Sequence, residues 1–394
     1  MKVLQIHNKY AFAGGEDTIA DTEADLLVRA GHEVERVRVR NIDRGAAALR
    51  AYAAAPYNIA QYRDMRARAR AFGPDIAHVH NTWFTLTPSV FHALRAESVP
   101  IVMTLQNFRL ICAEGKLYRN GRQCTECVSH HPWRAMRYSC YRDSIPSSAV
   151  AAATISLNRG FGSWDLIDRF FAPSEFVKDV FVRGGFDARR IVVKPNVVPD
   201  PGPRPRPPSD SRTLLYVGRL AREKGPDVLL EAWRHAAPAV PDLELVMIGD
   251  GPMRAELESR APERVRLLGW VEPDQLHLHM LNARALIFPT QCSENFGRSI
   301  VEAMAAGMPV LASDIATPAD LVGELGQHWL VAPHDPPAWA AALAALDDDA
   351  TIDAGGRRGR GLFERKYTFE IGLRRLMDVY ETIRDVTSTS TGRG

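Results

Sequence analysis

A proline-rich segment divides the chain into two halves with the same pattern of short apolar runs and helical stretches. Residues 194–213 read KPNVVPDPGPRPRPPSDSRT and contain seven prolines. Proline lacks a backbone N–H and fixes φ, so this segment cannot form a helix interior or a central strand. The pattern predicts a linker, and 394 residues are enough for a domain on each side of it.

Short apolar runs alternate with helical stretches on both sides of this linker, which predicts parallel strands joined by crossover helices. The first helix is expected to end near Gly31. We therefore predict an α/β fold of two doubly wound halves, with ligands bound in a cleft between them. The predicted strands are KVLQIH, DIAHVH (75–80), PIVMTLQN (100–107), DRFFAPS (168–174), TLLYVG (213–218), LELVMIG (243–249), VRLLGW (265–270), ALIFPT (285–290) and PVLASD (309–314).

The composition is that of a globular protein without a general affinity for nucleic acid. Hydrophobic residues make up 46% of the chain, and 49 basic residues against 47 acidic ones give a net charge of +2. A nucleic-acid-binding protein would concentrate excess positive charge. No apolar run is long enough to span a membrane, and MKVLQIHNKY is typical of a strand rather than of a signal peptide. We expect a cytoplasmic protein.

Two glycine-containing turns are candidates for phosphate contact. Gly14 and Gly15 follow the first strand and precede the first helix, where backbone N–H groups attract anions. Gly249 and Asp250 form a sharp bend after another strand, which a plain turn would also explain.

The segment YVGRLAREKGPDVLLEAW (216–233) predicts a stronger anion site. A strand ends at Gly218, Arg219 and Lys224 lie in the loop, and Pro226 suits the first turn of the following helix. Two cations beside a helix N-terminus can hold a diphosphate. A solvated basic loop is the alternative.

The segment SENFGRSIVEAMAAG contains two glutamates eight positions apart. Glu294 is expected in a loop, Gly297 at the turn, and Glu302 in a helix that Gly307 closes. Paired carboxylates can serve as acid and base when they lie about 5 to 9.5 Å apart. The loop between Glu294 and Glu302 leaves their separation open, and Glu302 could equally be an exposed helix residue.

Taken together, these motifs resemble those of the retaining glycosyltransferases of family 4, which adopt the GT-B fold. The resemblance extends from residue 3 to about residue 330. The last motif matches the E-x7-E signature of that family in full. The motifs that carry the resemblance are the Gly14-Gly15 turn, YVGRLAREKG, GDGP and ENFGRSIVEAMAAGMPVLAS.

This resemblance implies two Rossmann-like domains that face each other across a cleft. The expected divisions are an acceptor-binding domain at 1–193, a linker at 194–212 and a donor-binding domain at 213–369. Residues 370–394 are expected to form a helix that crosses back to the first domain, followed by a tail.

The resemblance also implies transfer of a sugar from a nucleotide-sugar to an acceptor hydroxyl with retention of configuration. Arg219 and Lys224 are expected to clamp the donor diphosphate, Glu294 to bind the donor sugar, and Glu302 to bind the ribose. In this mechanism the leaving phosphate takes the acceptor proton, so no metal or other cofactor is required for catalysis. Backbone N–H groups near three further residues are expected to add phosphate contacts, namely Phe296, Gly297 and Arg298.

One position departs from the family pattern. Where many relatives carry a histidine near the donor sugar and the acceptor, this chain has Gln106. Glutamine can donate and accept hydrogen bonds but cannot titrate, so it cannot be a general base. Gln106 and His80, which ends the strand DIAHVH, are the candidates for acceptor or sugar contact, although His80 could equally be a packed histidine.

Four of the five cysteines lie in one insert of the first half, at about 112–140. Their spacing is C-x11-C-x2-C-x12-C, and a C-x2-C pair is a good half-site for zinc. Free thiols are the alternative, and His130 and His131 could replace a cysteine ligand. We expect a structural zinc ion at the four cysteines, Cys112, Cys124, Cys127 and Cys140.

The same insert carries aromatic and basic residues together, among them Trp133, Arg134 and Arg137. They could contact an anionic membrane or a lipid-linked acceptor, or form a solvated basic face. UDP is the favoured nucleotide, and the acceptor could be a glycan, a lipid-linked sugar or a small molecule. The remaining functional alternatives are a nucleotide-sugar epimerase or hydrolase and a non-catalytic nucleotide-sugar-binding protein.

Overall fold

The computed structural model describes residues 1–9, 15–41 and 45–391, which fall into two compact units. Each unit is built around a parallel sheet of six strands, which confirms the predicted α/β class. Unit 1 comprises residues 1–117, 124–195 and 372–394, and unit 2 comprises residues 118–123 and 196–371.

The strands are short, as is usual for buried parallel sheets. Most residues of the inner strands of each six-stranded sheet are apolar and buried, because helices cover both faces of such a sheet. In chain order they are β1 Lys2–Lys9, β2 Glu33–Arg40, β3 Ile76–Asn81, β4 Ile101–Thr104, β5 Tyr118–Arg119, β6 Arg122–Gln123, β7 Arg169–Ala172, β8 Ile191–Val193, β9 Thr213–Val217, β10 Glu244–Ile248, β11 Val265–Gly269, β12 Ala285–Phe288, β13 Val310–Ser313 and β14 Leu330–Val331.

The helices connect these strands, and several begin with recognisable start signals. The Asn58 side chain accepts bonds from two N–H groups at the start of α3, and proline occupies the first position of α9, α11 and α14. In chain order they are α1 Gly15–Arg29, α2 Gly45–Ala53, α3 Ile59–Phe72, α4 Ser89–Ala96, α5 Glu126–Ser129, α6 Arg134–Arg137, α7 Ile145–Gly160, α8 Glu175–Arg183, α9 Pro226–Ala236, α10 Arg254–Arg260, α11 Pro273–Asn282, α12 Arg298–Ala305, α13 Ala316–Gly323, α14 Pro336–Ala344, α15 Asp349–Lys366 and α16 Phe369–Thr391.

The order of the strands fixes where each unit can bind a ligand. The sheet of unit 2 has the order β11-β10-β9-β12-β13-β14, so the winding direction reverses between β9 and β12. The sheet of unit 1 has the order β2-β1-β3-β4-β7-β8, and its reversal lies between β1 and β3. Loops that leave the carboxyl ends of two such strands diverge to opposite faces and leave a crevice.

The C-terminal helix α16 packs within unit 1. Leu376, Tyr380 and Ile383 join Val3 and Phe171 in one buried apolar cluster. The Tyr380 hydroxyl also lies 2.7 Å from a ring nitrogen of His78 on β3. Both apolar and polar contacts therefore anchor this helix to the sheet.

Five strands were not predicted from the sequence. The helix α1 ends at Arg29, close to the predicted end near Gly31, and the chain continues as the unpredicted strand β2. The hairpin strands β5 and β6 were also not predicted. The short strands β8 and β14 lie at sheet edges and were not predicted. Residues 194–207 contain neither helix nor strand, and a short 3-10 turn follows at Pro208–Asp210. Among the described residues, no helix is both long enough and apolar enough to cross a bilayer.

Candidate functional site

The loops that follow β9 and β12 bring Lys224 and Glu294 into direct contact. The Lys224 ammonium donates a hydrogen bond to Oε1 of Glu294, although the two residues are far apart in sequence. The Thr290 hydroxyl donates to the same oxygen at 2.9 Å. The two motif residues therefore meet at the reversal point of unit 2, where the topology predicts a ligand.

A glycine allows these two loops to approach each other. Gly225 has φ +66°, and a Cβ atom there would lie 2.0 Å from the carbonyl oxygen of Pro289. The Glu223 carbonyl accepts a bond from the Gln291 N–H at 2.9 Å, and the Thr290 hydroxyl oxygen lies 3.2 Å from the same carbonyl oxygen. The position of Lys224 relative to Glu294 is thus fixed by backbone contacts as well as by charge.

Burial and charge act in opposite directions on Lys224. Burial alone would lower its pKa, but the negative charge of Glu294 and their hydrogen bond raise the pKa above the ordinary value for lysine. Burial, reinforced by the same carboxylate, raises the pKa of the neighbouring Cys292 thiol to about 12. The two loops therefore hold a charged ammonium close to a thiol that stays protonated.

Arg219 lies in the same loop as Lys224 but remains exposed. The Tyr216 hydroxyl donates a bond to its carbonyl oxygen at 2.9 Å and so fixes the backbone. Its guanidinium makes no hydrogen bond or ion pair in the described part of the chain. Arg219 is thus a cation available to a ligand.

The turn at Gly249 and Asp250 supports this loop. Gly249 has φ +138°, and a Cβ atom there would lie 1.9 Å from the carbonyl oxygen of Gly218. The Leu220 N–H donates to the Asp250 carbonyl at 3.0 Å. The Asp250 carboxylate itself is occupied by Gly251 N–H and by Arg254. The turn at Gly249 and Asp250 therefore supports the Arg219 loop through backbone contacts.

The helix α12 begins at the same edge of the sheet and carries the second glutamate. Gly297, with φ +74°, is its N-cap, and the Ser299 hydroxyl lies 3.5 Å from the carbonyl oxygen of Val217 at the end of β9. Glu302 is buried and accepts a bond from Arg298 at 2.8 Å. Helix N-termini attract anions because their first N–H groups have no partner within the helix.

Phe296 contributes to this site only through its backbone. Its side chain is 4% exposed and packs in the apolar core of unit 2, with its ring centroid 6.3 Å from that of Tyr367. The structure therefore brings Phe296, Gly297 and Arg298 to the start of α12, as the sequence predicted, but leaves only N–H groups and the Arg298 side chain for a ligand.

In unit 1, Gln106 lines a narrow cavity. Its side chain is 7% exposed, and its Nε2 has no hydrogen-bond partner among the described residues. The cavity of about 20 Å³ has room for one water molecule and is walled by Trp83 and Trp164. Gly14 lies outside the described residues, and Gly15 is the first residue of α1.

Glu16 is a candidate that the sequence analysis missed. Both of its carboxylate oxygens accept bonds from the Asn107 amide at 3.2 Å, next to Gln106. Burial raises the pKa of Glu16 to about 7, although Asn107 and the charge of Arg109 act in the opposite direction. An acidic residue in the first helical turn is normally explained by the helix dipole, so the sequence gives no further signal.

His80 lies in a buried polar cluster rather than at a surface. Its ring nitrogen is 3.2 Å from the Gln5 amide and 3.6 Å from the Glu23 carboxylate. In the described part of the chain, Glu23, His78 and His80 form the one group whose three ligand atoms lie close enough for a metal ion, all within 4.8 Å. The Lys194 ammonium already bonds to Glu23, however, and supplies the compensating charge. Burial lowers the pKa of both histidines, so their rings are neutral.

The four cysteines of the insert are only partly gathered. The neighbouring Cys127 thiol is the main reason that the pKa of Cys112 is lowered, to about 6. The Cys127 thiol itself donates to the Pro132 carbonyl oxygen, 4.0 Å away. Cys112 and Cys127 are buried, whereas Cys124 and Cys140 are half-exposed. Among the described residues, which include all four, no three cysteine sulfurs lie within 4.8 Å of one another.

Comparisons with known proteins agree with this organisation. The family model described as "Glycosyl transferases group 1" matches residues 203–354, and that described as "Glycosyl transferase 4-like domain" matches residues 13–197. The first range lies wholly in unit 2, and the second lies mainly in unit 1.

Similar curated proteins include two glycosyltransferases. The 2-deoxystreptamine glucosyltransferase of Streptomyces kanamyceticus is 34% identical over 167 residues, 39% of this chain and 41% of that protein. The phosphatidyl-myo-inositol mannosyltransferase of Mycolicibacterium smegmatis is 32% identical over 180 residues, 45% of this chain and 46% of that protein. The chain thus spans less than half the length of these curated relatives.

A similar solved structure covers nearly the whole chain. The crystal structure of the Anabaena protein HepE in complex with UDP has a TM-score of 0.69 and 16% sequence identity, covering 97% of this chain and all of that one. The same protein has also been solved with UDP-glucose. This likeness confirms the predicted GT-B fold class.

Proposed function

Because the chain belongs to the group 1 glycosyl transferases, we propose that it transfers a sugar from a nucleotide-diphosphate sugar to an acceptor hydroxyl with retention of configuration. The observation that carries the proposal is the contact between Lys224 and Glu294 at the reversal point of unit 2, with Arg219 exposed beside it. This arrangement offers two cations for a diphosphate and a carboxylate for sugar hydroxyls.

The proposed chemistry needs charge stabilisation more than it needs an acid or a base. The acceptor oxygen attacks the anomeric carbon, the bond from that carbon to the β-phosphate oxygen breaks, and the leaving phosphate takes the acceptor proton. Negative charge grows on the diphosphate, where Arg219, Lys224 and the N–H groups at the start of α12 stabilise it. The raised pKa of Lys224 keeps this cation charged over the physiological pH range.

The two glutamates are proposed to have separate tasks. Glu294 lies in a loop beside Lys224 and is placed to accept bonds from donor-sugar hydroxyls, whereas Glu302 is buried on α12 beside Arg298 and is proposed to bind the ribose. Gly15, Gly249 and the adjoining turn residues are proposed to line the donor. Gln106 is proposed to lie on the acceptor side. His80 lines the same cavity but is 1% exposed, so it is not placed to touch an acceptor itself.

UDP is the proposed nucleotide, which is supported by the fold likeness to a protein solved with UDP and UDP-glucose. The proposed acceptor is a glycan, a lipid-linked sugar or a small molecule. A thermal-shift screen of UDP-, GDP- and ADP-sugars tests the donor, because a ligand stabilises the protein according to its concentration over its dissociation constant.

The release of nucleoside diphosphate distinguishes the proposed reaction from its alternatives. Sugar transfer requires that release depends on an added acceptor. Release without any acceptor would indicate hydrolysis, and interconversion of the sugar without release would indicate epimerisation. No nucleotide-sugar binding at all would contradict the proposal.

We also propose a structural zinc ion at the insert cysteines, which the Cys112–Cys127 contact supports. Binding would require the half-exposed Cys124 and Cys140 side chains to move towards this pair. Metal analysis of protein purified without chelator should find close to one equivalent of zinc, and Cys124→Ser should lower it. Cys292→Ser, outside the insert, is the matched control. Less than about a tenth of an equivalent in the wild type would contradict the proposal.

Peripheral membrane contact through the insert is a further proposal, with the protein at the inner face of the membrane. Trp133 is 45% exposed and precedes α6, which carries Arg134 and Arg137. Sedimentation with phosphatidylglycerol vesicles, but not with phosphatidylcholine vesicles, is expected, and Trp133→Ala should reduce it. Trp270→Ala is the matched control because Trp270 is exposed in unit 2. Equal binding by both variants would contradict this contact site.

A further inference from the structure

A two-residue turn folds residues 118–123 of the insert into a hairpin of β5 and β6. Asn120 and Gly121 occupy the turn with φ angles of 50° and 80°. Tight hairpins favour a turn in which both central residues have positive φ, and Asn-Gly is the strongest sequence signal for it. The Cys124 N–H donates to the Leu117 carbonyl at 2.8 Å and closes the base. The hairpin is therefore defined by local sequence.

This hairpin belongs to unit 2, although the chain up to Leu117 and from Cys124 belongs to unit 1. Tyr118 pairs with Gln123, and Arg119 pairs with Arg122. Directly opposed residues of an antiparallel pair project from the same face, and successive residues alternate. Tyr118 and Gln123 therefore share one face of the hairpin, and the two arginines share the other.

The face with Tyr118 and Gln123 meets the loop that carries Glu294. The Gln123 amide donates a hydrogen bond to the Ser293 hydroxyl at 2.9 Å. Ser293 is 5% exposed and is the residue immediately before Glu294. The Gln123 bond thus restrains the chain one residue away from the proposed sugar-binding carboxylate.

Tyr118, on the same face, lies near acidic groups of the two loops that carry Lys224 and Glu294. Burial raises the pKa of its phenol, and the nearby acidic groups of Cys292, Glu223 and Asp227 raise it further. Glu223 and Asp227 lie on either side of Lys224 in the sequence, and Cys292 lies two residues before Glu294. The hairpin is therefore bonded to the Glu294 loop through Gln123, and its Tyr118 phenol lies within electrostatic range of acidic groups on both loops.

We propose that the hairpin of residues 118–123 is a positioning element of the donor site, in which Gln123 holds the Ser293–Glu294 segment in place for the donor sugar. The proposal rests on the proposed function, because it assigns Glu294 to the sugar of a nucleotide-sugar. Gln123 acts through Ser293 and Glu294, not through the cations. Its loss should weaken binding of a nucleotide-sugar more than binding of the nucleoside diphosphate alone.

The test uses the full chain with Gln123→Met, which keeps the length of the side chain and removes the amide. Arg122→Ala is the matched control, because it alters the other face of the same hairpin. Amide hydrogen exchange of residues 290–294 is measured without ligand, where the Gln291 N–H is held by the Glu223 carbonyl. Calorimetry measures the affinities for UDP-glucose and for UDP.

In Gln123→Met, exchange in 290–294 should accelerate several-fold, and the affinity for UDP-glucose should fall by about fivefold, as expected for one hydrogen bond. The affinity for UDP should change by less than about twofold, and Arg122→Ala should alter neither quantity. Unchanged exchange and affinity in Gln123→Met would overturn the proposal, as would an equal loss for UDP and UDP-glucose.

Failure of the proposed function gives a different result. If the wild type binds neither UDP, UDP-glucose nor any other nucleotide-sugar, the donor assignment fails. The exchange measurement still decides whether the hairpin positions residues 290–294. Accelerated exchange in Gln123→Met would then still show that the hairpin positions residues 290–294. It would reject only the role of that segment in binding a sugar.

Discussion

The contact between Lys224 and Glu294 predicts that stability and turnover respond differently to the same substitutions. The Glu294 side chain is 13% exposed and that of Lys224 is 29% exposed. Removal of one member of a fully buried pair costs about 3–5 kcal/mol, whereas an exposed pair contributes about 0–1 kcal/mol. For this partly buried pair we expect Lys224→Met to lower the free energy of unfolding by about 2 kcal/mol. The Glu294 charge would then have neutral donors, the Thr290 hydroxyl and the Cys292 thiol, in place of a cation.

The double substitution Lys224→Met with Glu294→Gln should recover much of that loss, since no unpaired charge remains. The expected interaction energy in the double-mutant cycle is about 1–2 kcal/mol, measured by urea denaturation that follows the transition of unit 2. Turnover should not recover. Loss of one cation that stabilises the leaving diphosphate should cost about 10²–10³-fold in kcat, and the second substitution removes another ligand of the donor.

Two results would refute this reasoning. Additive stability changes, with an interaction energy below about 0.3 kcal/mol, would mean that the ion pair is not formed in solution. Turnover close to that of the wild type in Lys224→Met would mean that this ammonium does not stabilise the transition state.

Three further predictions concern single residues. Gly225→Ala should destabilise the protein by more than about 2 kcal/mol in urea denaturation, because φ is +66° and its Cβ would lie 2.0 Å from the Pro289 carbonyl; an unchanged midpoint would contradict it. Burial raises the pKa of Glu16 from 4.5 to about 7, so its contribution to stability falls as the pH rises across that interval. Glu16→Gln should therefore gain up to about 3 kcal/mol relative to the wild type between pH 4.5 and pH 8, and a pH-independent difference would argue against the shift. Glu302→Gln should weaken donor binding in calorimetry with little change in kcat, whereas a loss confined to kcat would reverse the roles proposed for the two glutamates.

The sequence predicted the parts of the fold that depend on local pattern. Continuous apolar runs gave the central strands, and Gly307, with φ +62°, lies where the helix α12 was expected to close. The strand β2 was missed because five of the eight residues in its sequence EVERVRVR are charged, as suits an edge strand, so it lacks the continuous apolar run that marked the central strands. The hairpin of β5 and β6 was also not predicted, although Asn120-Gly121 is a local sequence signal for it.

The candidate site was predictable as a set of residues but not as an arrangement. The contact between Lys224 and Glu294 depends on β9 and β12 being neighbours, which is a property of the sheet order. The burial of His80 depends on α1 and on Lys194, which pack around it from distant parts of the chain. The raised pKa of Glu16 likewise follows from tertiary burial, which no local pattern reveals.

A crystal structure of the chain with UDP would test the central claim most directly. The claim predicts that the diphosphate lies at the reversal point of unit 2, with its oxygens about 3 Å from the Lys224 ammonium and from the Arg219 guanidinium. It also predicts that the ribose hydroxyls contact Glu302. UDP bound elsewhere, or bound here with its diphosphate away from both cations, would contradict the account.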